Sequence, residues 1–217
     1  LLATGKALNF RHELARVAVE SSLSPAIARS LHARALAELE ANPQAQVSLA
    51  RLVHHAARAS DAAAVLRLAP AAARQAQQRG AHKEAAAHFD TALEHADALP
   101  GEARAELLDG KSYECYLTDR TADAFAARLE SQRLWQAAGD GLREGDALRW
   151  LSRLAWYNGQ TAPAVDFAER AIAVLESRPA GRELAMAYSN RSQLHMLAGE
   201  GRQARAWGDR ALELARR

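Results

Sequence analysis

The chain has 217 residues, 49% of them hydrophobic but only 6% aromatic, and its 28 Lys and Arg nearly balance its 26 Asp and Glu. That length fits one or two domains with a sizeable core. The near-neutral balance does not call for a nucleic-acid face, and no apolar run reaches the roughly 18 residues of a membrane span. Alanine is abundant while strand-forming runs of Val, Ile, Thr and aromatics are nearly absent, so close-packed helices are expected rather than a sheet. Cys115 is the single cysteine. It cannot form an internal disulfide, which fits a reducing cytoplasm. The first residues lack the basic n-region of a signal peptide. The abrupt start without an initiator Met leads us to expect a piece of a longer protein.

In chain order, "LLATGKALNF" reads as two short extended runs around a Thr-Gly-Lys turn, which predicts a hairpin. "ELARVAVESSL" carries apolar positions at helical spacing. Ser24 followed by Pro25 is an N-cap with Pro at the first helical position. The helix that follows, with Ile27, Leu31, Leu36 and Leu39, should run to about Ala41, where Asn42-Pro43 stops it. These elements form a first domain, 1–42.

Residues 43–217 form a second domain with an internal repeat. Segments starting at Gly80, Asp119, Gly159 and Gly199 are 39, 40 and 40 residues apart. Each carries a small residue five positions in (Ala85, Ala124, Ala164, Ala204) and another seven later (Ala92, Ser131, Ala171, Ala211). Seven residues are two helical turns, so both fall on one face and let a neighbouring backbone approach. Each segment follows a turn, usually at Gly, which suits a left-handed helix C-cap. Another helical stretch precedes each turn. In one of them Leu148, Leu151, Ser152 and Ala155 form a packed stripe. The unit is helix, turn, helix, and stacking such units buries a face that one pair alone cannot.

The turn Gly, the paired small residues and Phe89 resemble the tetratricopeptide repeat over roughly residues 46–217. Asp119 in place of Gly, Arg191 in place of the usual Leu, and a period of about 40 rather than 34 depart from it. The resemblance implies an all-α, right-handed superhelix of tetratricopeptide-like helix pairs. In addition, "FRHELARVAVE" followed by "SPAIARSLHARALAELE" resembles the end of the winged-helix module of large bacterial LuxR-type ATP-binding transcriptional regulators. Later stretches such as "ARLVHHAARASDAAAVLRLAP" and "EGDALRWLSRLAW" are similar to their repeat region. This second resemblance implies a signal-sensing regulatory domain with a small winged-helix remnant at residues 1–42. It also implies partners among proteins, other domains of the same chain or a small effector. The family's phosphate loop and second DNA-reading module are missing here, so neither ATP hydrolysis nor direct DNA binding is expected of this chain.

No motif asks for catalysis, a metal or a cofactor. "DGKS" at 109–112 lacks the upstream Gly of a phosphate loop, Ala105 standing in its place, and lies in a helical stretch. It reads instead as small packing residues with a solvated Lys111. His54 and His55 are adjacent, so they point about 100° apart and cannot chelate as an i, i+4 pair. Cys115 reads as a buried packing residue.

The remaining candidate is a groove. In tetratricopeptide arrays the first helix of each pair lines the inner surface. A helical wheel from Leu148 places Arg149, Arg153, Trp156 and Tyr157 away from the packed stripe, with Trp150 at its edge. Corresponding positions are Asp109, Tyr113 and Tyr116 in the preceding repeat, and Ser189, Asn190, Gln193 and Met196 in the next. The expected binding residues are therefore Tyr113, Tyr116, Arg149, Arg153, Trp156, Tyr157, Asn190, Gln193 and Met196. Aromatic rings with Arg and amide groups suit a peptide, helix or small ligand. The alternative is that the large side chains merely fill space between thin, Ala-rich helices, leaving a passive scaffold or oligomerisation module.

Overall fold

A computed structural model describes residues 2–4, 7–9, 12–42 and 47–216. Two compact units meet inside one helix, at Ala72 and Ala73. In the first, β1 (Leu2–Thr4) and β2 (Ala7–Asn9) pair antiparallel in the register Leu2↔Asn9. They are followed by α1 (Glu13–Ser22), α2 (Pro25–Ala41) and α3 (Leu49–Arg58). Ser24 caps α2 by accepting from the Ile27 amide. Leu36 of α2 is buried, but Ile27 and Leu31 are about half exposed (52% and 46%), so the expected apolar face of α2 is only partly covered. Between α2 and α3 the Nδ1 atoms of His32 and His55 lie 3.0 Å apart, with the His54 ring beside both.

Helix α4 (Ala62–Gln78) crosses into the second unit, which continues with α5 (His82–Leu93), α6 (Gly101–Leu117), α7 (Thr121–Ala138), α8 (Gly141–Tyr157), α9 (Thr161–Glu176), α10 (Arg182–Leu197) and α11 (Gly201–Ala215). From α5 to α11 each helix packs on the one that follows it, and α8 also packs on α10. The turns at Gly80, Asp119, Gly139, Gly159 and Gly199 all have a left-handed residue at the helix end. At each, the next amide bonds back five residues, as Gln160 does to the Ala155 carbonyl, which is the Schellman closure of a helix. Asp119 (φ 59°) carries a side chain in this conformation without glycine's freedom.

The small-residue stripes do what their spacing predicts. Ala85, Ala92, Ala124, Ser131, Ala164 and Ala171 are fully buried, and Ala211 nearly so. Ala204 is half-buried. Leu148, Leu151, Ser152 and Ala155 of α8 are likewise closed to solvent. A polar device accompanies them. Ser112, Ser152 and Ser192 donate their hydroxyls to the carbonyls of Ala124, Ala164 and Ala204, at 2.8, 2.7 and 2.6 Å. Each bond ties the first helix of a pair to the second. A hydroxyl buried without such a partner would cost about 1–3 kcal/mol.

The "DGKS" stretch lies inside α6. Ser112 packs as expected, but Lys111 is not simply solvated: its Nζ pairs with Asp90 at 2.6 Å. A Cβ at Gly110 would meet the Phe89 ring at 2.4 Å, so the glycine is required by close approach. Cys115 is fully buried, and burial pushes its thiol up.

Candidate binding groove

The first helices of three successive pairs, α6, α8 and α10, line one cavity of about 580 Å³. From α8 come Asp146, Arg149, Trp150 and Arg153. Their i, i+3, i+4, i+7 spacing is one helix face, opposite the Leu148–Ala155 stripe. Tyr113 and Tyr116 enter from α6, and Arg182, Glu183 and Met186 from the start of α10.

Trp150 is the hub. Tyr113 and Tyr116 meet it edge-on, with ring centroids at 5.7 and 5.4 Å. The Arg149 guanidinium lies 4.8 Å from its centroid, a cation–π contact. Arg149 also pairs with Asp146 at 2.7 Å, so its charge is already met. Arg153 is held differently. Its Nε and Nη2 donate to the Tyr116 hydroxyl at 3.0 and 2.8 Å, and its Nη1 to the Gln193 amide oxygen at 3.3 Å. All three acceptor contacts are neutral. Burial alone would raise the Tyr116 phenol. The hydrogen bond shared with Tyr157 and the contacts from Arg153 outweigh it and lower the phenol below its ordinary value. The hydrogen bond with Tyr116, followed by burial, raises Tyr157.

The groove thus collects Tyr113, Tyr116, Arg149 and Arg153 of the expected set, with Tyr157 and Gln193 bonded to its rim residues. Trp156 does not line this cavity; it shares a small neighbouring hollow with Arg153, Tyr157, Asn190 and Gln193 of the expected set. Half-buried, it also lines a separate cavity of about 500 Å³ with Thr161, Val165, Arg191 and Leu194, and packs edge-on to Tyr157. Asn190 is buried and donates to the Ser152 hydroxyl at 2.8 Å, fastening α10 to α8. Met196 is exposed and lines neither cavity. Asp109, aligned with the groove by the wheel, turns into the seam with α7. There it accepts from Arg128, Ser131 and, at 3.0 Å, the Trp135 indole.

Sequence reasoning missed Asp146, Arg182, Glu183 and Met186, and placed Trp150 at the edge. A signal existed. Met186 sits 40 residues after Asp146, and Arg182 after Leu142, so the lining slides toward the N-terminal turn of α10. The groove crosses its helices obliquely, and equal offsets from repeat to repeat follow a line that it leaves.

Among the described residues, no group of three or more His, Cys, Asp or Glu is arranged to hold a metal ion. No described helix is long and apolar enough to cross a membrane.

The fold matches solved structures across most of the chain. BtubC (BKLC) from P. vanneervenii superposes with a TM-score of 0.64 at 14% identity, covering 89% of this chain and 92% of that one. A Podosopora anserina kinesin light chain with nearly identical TPR-like repeats gives 0.60 at 16%, covering 88% and 96%. MamA gives 0.54 at 16%, covering 76% and 90%. The fold is a tetratricopeptide-like repeat. At these identities the likeness concerns the fold alone. No family model and no curated protein sequence matches the chain. Within the tetratricopeptide-like frame, Arg191 stands where a Leu is usual. Its guanidinium is largely buried and pairs with Glu169 at 2.9 Å.

Proposed function

We propose that this chain is the sensing and interaction region of a cytoplasmic LuxR-type transcriptional regulator, binding an effector, a partner or another domain of its own chain in the α6–α8–α10 groove. Residues 1–42 are read as the end of a winged-helix module, and 43–217 as a right-handed array of helix pairs that needs no cofactor. The observation that carries the reading is the groove itself. Aromatic and Arg side chains that core packing does not require converge from three helices on one cavity. Binding there would alter regulation only through a difference in affinity between two states of the whole protein.

The test is site-specific photocrosslinking in cells. A photoreactive phenylalanine replaces Tyr113 in one variant and Arg205, exposed on α11, in another. An adduct at position 113 and none at 205 supports the groove. Equal adducts at both, or an adduct at 205 only, removes it and favours a passive scaffold.

A further inference from the structure

We propose that the groove takes a small organic monoanion, its carboxylate on Arg153 and its ring-bearing apolar body against Tyr113, Trp150 and Met186. This rests on the groove being the binding surface and adds the chemistry of its ligand. Charge comes first. The lining carries three guanidinium groups, Arg149, Arg153 and Arg182, against two carboxylates, Asp146 and Glu183. Arg149 and Asp146 neutralise each other at 2.7 Å. Arg153 is partly buried and pairs with no carboxylate among the described residues. A guanidinium has five N–H donors, and three are engaged with Tyr116 and Gln193, leaving two for an incoming acceptor pair. Arginine's planar fork suits a carboxylate better than a point charge would. One surplus positive charge matches a monoanion, and a phosphate dianion would leave the site negative.

The apolar half follows from exposure. Tyr113 and Met186 remain 41% and 44% exposed beside Trp150, so ring and thioether surface is open for a flat apolar group to cover. The cavity of about 580 Å³ falls in the roughly 300–1,000 Å³ range of small-molecule sites.

The experiment titrates this 217-residue chain by calorimetry and ligand-observed NMR with indole-3-acetate, 4-hydroxyphenylacetate and benzoate. Their matched neutral amides and inorganic phosphate serve as controls. We expect at least one carboxylate to bind tenfold or more tightly than its amide and than phosphate. Arg153→Gln and Met186→Glu should each weaken that binding at least tenfold, while Arg153→Lys retains part of it. Met186 is exposed, so its variant keeps the fold and serves if Arg153→Gln does not. Amides binding as well as acids, phosphate binding best, or carboxylate binding that survives Arg153→Gln overturns the proposal. So does no saturation by any of the three acids at about 5 mM, well above a millimolar dissociation constant. If the acids fail while position 113 still crosslinks a partner, the ligand class is wrong and the groove stands. If both fail, the groove falls too.

Discussion

Asp109→Ala isolates the polar seam between α6 and α7. The Asp109 carboxylate accepts from Arg128, from Ser131 and from the Trp135 indole. Arg128 is 4% exposed, and burial holds it below the ordinary guanidinium value. Truncating Asp109 leaves that cation hydrogen-bonded to the Ser112 hydroxyl and the Asp109 main-chain carbonyl, with the Trp150 ring centroid 5.6 Å away and the Asp146 charge acting from further off. Removing one partner of a buried pair costs about 3–5 kcal/mol. The stranded Trp135 donor adds about 1–3 kcal/mol, while Ser131 can turn to a carbonyl of its own helix. Asp109 is itself partly open, at 19%, and water admitted there trims the sum. We therefore expect a loss of about 3 kcal/mol or more from a total of about 5–15 kcal/mol. Urea denaturation followed by circular dichroism measures it. Asp109→Ala/Arg128→Met, which removes both charges, should be more stable than the single variant. A loss below about 1 kcal/mol for Asp109→Ala, or a double variant worse than the single, refutes the view that this seam is held by a compensated charge.

Three other outcomes are expected. Gly110→Ala would drive its Cβ into the Phe89 ring. Thermal unfolding should show a net loss of about 1–3 kcal/mol despite alanine's better helix propensity; a gain would mean that the ring moves aside freely. Asp119→Gly relieves a left-handed aspartate (φ 59°) at an exposed turn. It should gain about 0.5 kcal/mol, the strain relieved exceeding glycine's entropy, and an equal loss by the same assay would disprove this. Burial first, then the charges of His54 and Arg58, lower His32. Burial, followed by His32, His54 and Arg51, lowers His55, while Glu20 of α1 opposes the shift at His32. The unfolded chain therefore binds more protons as pH falls through about 6.5, so this contribution is complete above that value and lost below it. Intrinsic amide exchange slows as pH falls, so the readout is protection relative to that intrinsic rate, which should drop at Leu36 and Val53 from about pH 7.5 to about pH 5.5. His55→Gln should flatten the change; an unchanged profile in the parent chain disproves it.

Legibility in the sequence followed the range of the interaction. The turns and small-residue stripes could be read because one helix fixes them: a positive φ selects Gly, and a seven-residue interval selects a face. The Leu148–Ala155 stripe and its opposite face were legible for the same reason. What a wheel cannot supply is the angle at which one helix crosses the next. Asp109 and Tyr113 are one turn apart on α6, yet Asp109 meets Arg128 of α7 and Tyr113 meets Trp150 of α8. Asn190 lies three residues before Gln193, but its amide is captured by Ser152 while Gln193 reaches Arg153. In each pair the change from seam to groove happens within a single turn, and the neighbouring helix decides it. The oblique path also explains why Trp150, at the edge of its own wheel, becomes the centre of the cavity. It is the α8 side chain that both α6 tyrosines meet edge-on, in a cavity that Met186 of α10 also lines. A groove built this way is specified by two to four residues from each repeat at a shifting offset, so a change in helix tilt would disassemble the site while leaving every repeat intact.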